Sequence, residues 1–374
     1  MKIAIFIADE GYGHAMRQKN IIHELIDHIP FVEITVFGKD KIDLLIDEFG
    51  PKISYVDLFS HVITIKDNSG NLDISGTKEC FKNWYQNREN WIEFTIKNID
   101  PKTNIIISDS VPQVSKVSKL LGIRQINIQH FSWDWLYFSL FGDDEIYKSL
   151  KRDYGRWGEF IFPPLTPLDN LQMYPYKNID LIVNRKLISL TSVKEKVKNK
   201  NTIKTILLMN NGTQSLTLLI SKILKEFPQN KGWIFMLRSE HLNKTDKRIA
   251  LEREDVKIIT GMSNTHLAIS NADIVVARGG YNALSELIAL NKQSLIIEEK
   301  NNPEIVSNLY LAKKYNNLII SSHNNAFKEL AKLITQEQNS ENKINKNNTI
   351  SCIGASQVLH FINEANKLVP SINN

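Results

Sequence analysis

Three glycine turns in this 374-residue chain carry groups that could manage a proton or an anion. Gly11-Tyr12-Gly13-His14 follows an apolar run and opens a helix. Imidazole is the side chain that takes and returns protons near neutral pH, so His14 is a candidate general base, or else a helix-start histidine bonded to backbone. Arg17, one turn on, would bind an anion or be solvated. Asn210-Asn211-Gly212-Thr213-Gln214 is the second turn, where Thr213 can cap a helix whose first N–H groups point at a ligand. The third is Arg278-Gly279-Gly280-Tyr281-Asn282, followed one turn later by Glu286. Glycines between a strand and a helix N-terminus let an anion approach backbone N–H groups, and a carboxylate one turn along can accept from a vicinal diol such as a ribose. The combination suits a nucleoside diphosphate. Asp109, in Ser108-Asp109-Ser110, ends another apolar run; it would orient His14, accept from an incoming hydroxyl, or cap the next helix.

The elements that must hold these residues alternate. Apolar runs at Lys2–Ala8, Phe31–Phe37, Asn104–Ser108 and Gln125–Gln129 are separated by helical stretches. Near-continuous apolar strands between helices describe an open parallel sheet covered on both faces. His61–Thr77 is polar and glycine-dotted and reads as a loop, and Asp153–Asn178, with Pro163, Pro164, Pro167 and Pro175, reads as a connector. Alternation resumes at Ile203–Met209, Trp233–Leu237, Lys257–Thr260 and Ile274–Val276. Gln336–Thr349 reads as a polar loop and Ala355–Lys367 as an amphipathic helix. The expected fold is α/β, with two tandem Rossmann-like, doubly wound domains facing a central cleft. Their expected bounds are 1–165 and 201–350, with a linker over 166–200 and a last helix in 351–374 crossing back to the first domain.

Several classes drop out. A dinucleotide fingerprint wants glycine where Met16 stands and an acid where Gly38-Lys39 ends the second strand, so NAD and FAD are not expected. The net charge of +5 is spread without a block, which argues against nucleic acid while remaining compatible with peripheral contact at the inner face of a membrane. Cys80 and Cys352, both in segments read as helical, fit a reducing, cytoplasmic compartment better than a disulfide framework. Asp143-Asp144-Glu145 reads as the first turn of a helix, with no metal site. The aromatics Phe131, Trp133, Trp135, Tyr137, Phe138 and Phe141 would pack a core or stack on a sugar or lipid.

The segment Arg278–Glu286, preceded by Ala272-Asp273, resembles the donor-binding region of GT-B glycosyltransferases, above all glycosyltransferase family 28, which includes the peptidoglycan N-acetylglucosaminyltransferase. The resemblance implies that Glu286 holds the nucleotide ribose, that His14 in the Gly-x-Gly-His turn is the base, that Asn211-Gly212-Thr213-Gln214 is a second glycine-rich loop, and that Gly261 and Met262 lie where backbone contacts the uracil. Gly13, Arg278, Gly279, Gly280, Tyr281 and Asn282 would line the diphosphate end, and Glu304 and Asn308 the donor sugar. The strand after the helix departs from the family in ending at Glu298-Glu299. Ser108-Asp109 with Phe131-Ser132-Trp133-Asp134-Trp135 resembles a glycosyltransferase-like domain fused to plant sugar kinases, and Gly-x-Gly-His-x-x-Arg also resembles nucleotide-sugar hydrolases. The implied activity is inverting, metal-independent and cofactor-free transfer from a UDP-linked sugar to a glycan, lipid-linked or small-molecule acceptor. A nucleotide-sugar hydrolase and a non-catalytic sugar-nucleotide binder are the alternatives.

Overall fold

The computed structural model describes residues 1–155, 157–184, 203–209, 213–229, 232–238, 240, 242–259, 265–339 and 350–367. Two compact units share the chain: Met1–Lys66, Leu72–Val183 and Ser351–Asn374 form one, Asp67–Asn71 and Asn184–Ile350 the other.

The first unit contains β1 (Lys2–Ile7), β2 (Glu33–Gly38), β3 (Ser54–Asp57), β4 (Ile65–Lys66), β5 (Leu72–Asp73), β6 (Ile105–Asp109), β7 (Arg124–Ile128), β8 (Glu159–Phe162) and β9 (Tyr176–Asn178). Seven of these form a parallel sheet in the order β3-β2-β1-β6-β7-β8-β9, while β4 and β5 pair as a separate antiparallel ribbon. Side chains on a strand alternate between faces, and β1 has no polar face to spare. Ile3, Ile5 and Ile7 enter one hydrophobic cluster, and Ala4, Phe6 and Ala8 enter another on the opposite face. Phe6 stacks on Phe37 of β2 with ring centroids 4.4 Å apart.

The second unit contains β10 (Lys204–Leu208), β11 (Trp233–Leu237), β12 (Val256–Ile258), β13 (Ile274–Arg278), β14 (Gln293–Ile297) and β15 (Leu318–Ser321), a parallel sheet in the order β12-β11-β10-β13-β14-β15. Leu216, Leu219, Ile220 and Ile223 of the Gln214–Glu226 helix cover Ile206, Ile274 and Val276. In both sheets the strand order reverses beside the first strand: β1 lies between β2 and β6, and β10 between β11 and β13. Helices following such a pair diverge to opposite faces and leave a crevice at the strands' carboxyl ends, where doubly wound sheets take their ligands.

Several expectations change. The loop expected over His61–Thr77 holds the β4–β5 ribbon, and the helix after it begins at Ile74, capped by the Asp73 carboxylate accepting from the Gly76 N–H at 3.0 Å. The connector expected over Asp153–Asn178 supplies two sheet strands, because its prolines flank β8 and β9 without interrupting them: Pro163 follows Phe162 and Pro175 precedes Tyr176. The first helix opens at Gly11, so the Gly11–His14 stretch read as a turn is its first turn. Cys352 precedes the last helix instead of lying in it, and both cysteines are half-buried. Asp144 caps the Glu145–Tyr154 helix, accepting from Ile146 N and Tyr147 N at 2.9 and 3.1 Å. Phe131, Trp133 and Tyr137 are core, whereas Phe138 is exposed. Of the polar stretch Gln336–Thr349, the described part, to Asn339, continues a helix.

The last helix, Gly354–Lys367, belongs to the first unit. Ala355, Val358, Leu359 and Ile362 join Ile21, Ile22 and Leu25 of the Gly11–His28 helix in one cluster. Ile353 pairs antiparallel with Ile182, and a Cβ at Gly354 would overlap the Asp180 carbonyl, so only glycine fits this crossing. No helix among the described residues is long and apolar enough to cross a membrane.

Candidate functional site

In the first unit the site is made of side chains. The Gly11–His28 helix carries His14, Arg17 and Gln18 at spacings of three and four, on one face. That face turns inward at the carboxyl end of β1, beside Asp109, the last residue of β6; the Ala8 N–H donates to the Asp109 carbonyl at 3.0 Å. The Asp109 carboxylate is fully buried and accepts on both oxygens. His14 Nδ1 and Arg17 Nη2 lie 2.7 and 2.5 Å from Oδ1, and Arg17 Nε and Gln18 Nε2 lie 2.9 and 2.7 Å from Oδ2. Four donors fill the acceptor capacity of a carboxylate, leaving none for a substrate hydroxyl. Nor does Asp109 cap the next helix, whose N-cap position is Gln113.

Burial alone would push the Asp109 carboxyl up. The Arg17 guanidinium and His14 more than reverse this and hold it well below the usual carboxylate range. An ionised Asp109 fixes the imidazole: Nδ1 carries its proton toward Oδ1, which leaves Nε2 as the lone-pair nitrogen. Arg17 Nη2 approaches the same nitrogen at 3.1 Å because both donors converge on one oxygen. Arg17 is buried and ion-paired, not solvated, and its Nη1 reaches His130 Nδ1 at 3.3 Å. The turn before the helix is braced separately. Asp9 Oδ1 accepts from the N–H groups of Lys39 and Asp40 at 3.0 and 2.9 Å, and Oδ2 from Ser60 N–H at 2.6 Å. Gly13 lies in the first helical turn, next to half-exposed Tyr12.

The second unit offers backbone instead. Its two adjacent glycines differ in purpose. A Cβ at Gly279 would stand 2.7 Å from Leu309 Cδ2 and 3.1 Å from Ile305 Cγ2, so this glycine lets the Pro303–Ala312 helix pack against the turn. A Cβ at Gly280 would meet nothing within 4 Å; this is the glycine with open space in front of it. Gly280 is the N-cap of the Tyr281–Ala289 helix with no side-chain cap. The first N–H groups of a helix have no partner within it and carry its positive dipole end, which is the chemistry that can receive an anion. Tyr281 is buried, while Asn282 and Glu286, one turn apart, share a half-buried face.

Arg278 and Glu299 form a two-pronged ion pair, Nε to Oε1 at 2.7 Å and Nη2 to Oε2 at 2.9 Å. The acid that departs from the family pattern thus compensates the expected phosphate-binding arginine. Asn308 is fully buried and spends its amide on the Gly279 carbonyl at 3.1 Å and on Glu304 Oε1 at 3.4 Å. It therefore braces the glycine turn. Glu304 sits in the first turn of its own helix, capped by Asn302. Thr213 is the buried N-cap residue of the Gln214–Glu226 helix, but its hydroxyl makes no capping bond. Gly212, Gly261 and Met262 lie outside the described residues.

Residues 206–364 match the model of the glycosyltransferase family 28 C-terminal domain. No curated protein matches the chain significantly. Among solved structures, the glycotransferase of kitacinnamycin is similar over 97% of this chain and 98% of its own, at 13% identity and TM-score 0.63. Arabidopsis thaliana UGT89C1, crystallised with UDP-L-rhamnose, is similar over 99% and 95%, at 12% identity and TM-score 0.60. A putative UDP-N-acetylglucosamine 2-epimerase from Listeria monocytogenes is similar over 98% and 96%, at 12% identity and TM-score 0.63. The chain has the GT-B fold.

Proposed function

We propose that this protein is a metal-independent, cofactor-free glycosyltransferase that moves a sugar from a UDP-linked donor to an acceptor hydroxyl with inversion. The observation that carries this reading is the buried His14–Asp109 pair, 2.7 Å apart, which keeps Nε2 ready for a proton. The acceptor oxygen attacks the anomeric carbon from the face opposite the diphosphate. The C–O bond to the acceptor forms, the C–O bond to phosphate breaks, and the acceptor proton passes to His14 Nε2. Asp109 stays ionised and stabilises the imidazolium, while Arg17 and Gln18 hold Asp109 in place. In the second unit the open N-terminus at Gly280 takes the departing diphosphate, and Glu286 accepts from the ribose hydroxyls. Support comes from the family 28 match over 206–364 and from UGT89C1, a protein of this fold that holds UDP-L-rhamnose.

Incubation with a panel of UDP-sugars, with and without acceptor alcohols, tests the reading. It expects UDP and an inverted glycoside only when an acceptor is present, and Glu286→Ala should weaken UDP binding about tenfold, a loss of about 1.4 kcal/mol. A second reading has one observation in its favour: Arg17, the last residue of the hydrolase-like turn, is part of the same buried network. If free sugar appears equally without acceptor, His14 activates water and the protein is a nucleotide-sugar hydrolase. Isomerised UDP-sugar as the sole product would replace both readings with an epimerase.

A further inference from the structure

Six described residues other than glycine have a positive φ, and four of them follow strands of the first sheet at its carboxyl edge: Lys41 after β2, His61 after β3, Ser110 after β6 and Leu165 after β8. L-residues disfavour that region, and such backbone persists only where its surroundings enforce it. Ser110 (φ +60°) adjoins Asp109, the carboxylate that fixes His14. It is fully buried, and its hydroxyl has no hydrogen-bond partner among the described residues. No bond of its own side chain therefore accounts for the conformation.

The turn is held from outside instead. Before Ser110, the Asp109 carbonyl accepts from the Ala8 N–H at 3.0 Å. After it, Ser108 Oγ donates to the Val111 carbonyl at 3.0 Å and accepts from the Val111 N–H at 3.4 Å. On Ser110 itself, the carbonyl accepts from the Trp133 indole N–H at 2.6 Å. Trp133 is the first residue of the Trp133–Phe141 helix and is fully buried, in T-shaped contact with Phe81 and Phe131 at centroid distances of 5.8 and 5.3 Å. A phenyl ring in that place would fill much of the space and donate nothing.

The peptide between Asp109 and Ser110 is common to both residues. With its flanks held, a Ser110 that relaxed to negative φ would rotate this peptide and tilt the Asp109 Cα, from which the carboxylate reaches His14 Nδ1 at 2.7 Å. We propose that Trp133 is a positioning residue for the His14–Asp109 pair: its indole N–H holds Ser110 left-handed, and that turn aims the carboxylate at the imidazole. The proposal rests on the reading of His14 as the base. It gives Trp133 a task besides burial, since one ring links the aromatic cluster to the imidazole through two residues.

Long-range proton–nitrogen NMR spectra of protein labelled on the histidine ring nitrogens test it, with the His14 signals identified by their loss in His14→Ala. The parental protein should show His14 protonated on Nδ1 at neutral pH; protonation on Nε2 alone would refute the base assignment and this proposal together. Trp133→Phe should mix the two tautomers. It should also lower kcat about tenfold or more on the UDP-sugar that supports turnover, with KM for that donor within about twofold. Ser110→Gly, for which positive φ is unstrained, should match the parental spectrum. Glycine needs no clamp, so in the double variant the Nδ1-protonated form should return and kcat should recover to within about threefold. Ser110→Ala, which lacks only the hydroxyl, should leave the spectrum unchanged. The proposal alone is overturned if Trp133→Phe keeps the parental tautomer, if Ser110→Gly does not rescue it, or if Ser110→Ala mixes the tautomers as Trp133→Phe does. If Trp133→Phe does not fold, Ser110→Thr takes its place, because a branched side chain resists positive φ; mixed tautomers are expected and a parental spectrum overturns the proposal. The spectra require no substrate, so they decide the proposal whether or not a UDP-sugar is turned over.

Discussion

The carboxyl ends of β6 and β13 occupy equivalent places in their sheets, each next to the sheet's first strand, yet they are built from different materials. At β6 everything is side chain: one carboxylate, four donors on it, and no exposure. At β13 the working surface is backbone, a glycine with nothing in front of it at the start of a helix. Each arrangement suits the task proposed for it. A base must keep one tautomer and one orientation through a cycle, which a saturated carboxylate enforces. A diphosphate carries more charge than one side chain can meet, and a row of N–H groups meets it without a counter-ion to displace. Arg278, beside that turn, is already balanced by Glu299.

The contrast predicts where substitutions hurt. Asp109→Ala takes the carboxylate away from the buried Arg17 guanidinium and should cost about 3–5 kcal/mol of stability, read by chemical denaturation. Asp109 also sets an acid limit. Its folded pKa lies below the unfolded one, so its contribution is complete above the ordinary carboxylate range and is lost as pH falls through the folded value. His14→Ala should lower kcat/KM by about 10²–10⁴ while the denaturation midpoint moves far less than in Asp109→Ala. Near-parental turnover in His14→Ala would sink the base assignment.

Asp153 is the counter-case within the same unit, a buried carboxyl with only a 3.8 Å contact to Arg88. Burial pushes it up to about 6, only partly opposed by Arg88 and Arg152. Its sign is therefore opposite: the stability linked to its protonation is complete below the ordinary value and is lost as pH rises through about 6. Asp153→Asn should accordingly stabilise the protein by up to about 3 kcal/mol above that pH and by little at pH ~4. An equal gain at both pH values would contradict it. The smallest effects separate the twin glycines. Gly279→Ala should cost about 1–3 kcal/mol through overpacking against Leu309. Gly280→Ala should shift stability by a few tenths of a kcal/mol yet weaken UDP binding, and equal melting shifts for the two would erase the distinction.

The same contrast explains what could be read in advance. The backbone-built half is local: glycines and glutamate sit within eight positions, and strand, turn and helix follow from them in order. The side-chain half is spread out. His14 and Asp109 are 95 positions apart and meet because β1 pairs with β6, so each strand end was legible while their contact was one of three alternatives for Asp109. Gln18 was missed although its place four residues after His14 was a signal, and His130 gave none beyond following β7. In letters the glycines look alike; the packing of Leu309 tells them apart. Strands β8 and β9 were obscured by the prolines around them, and β4 and β5, at two residues each, are too short for any periodicity to register.

The crossing of the last helix has a consequence for how this molecule is made. Val358, Leu359 and Ile362 complete a core whose other members are nearly all in place by Ile182. A ribosome delivers that final cover only after the whole second sheet has emerged. The first unit must therefore wait, with the apolar side of its Gly11–His28 helix uncovered, while the second completes its own sheet. In vectorial synthesis the half that is written first is finished last.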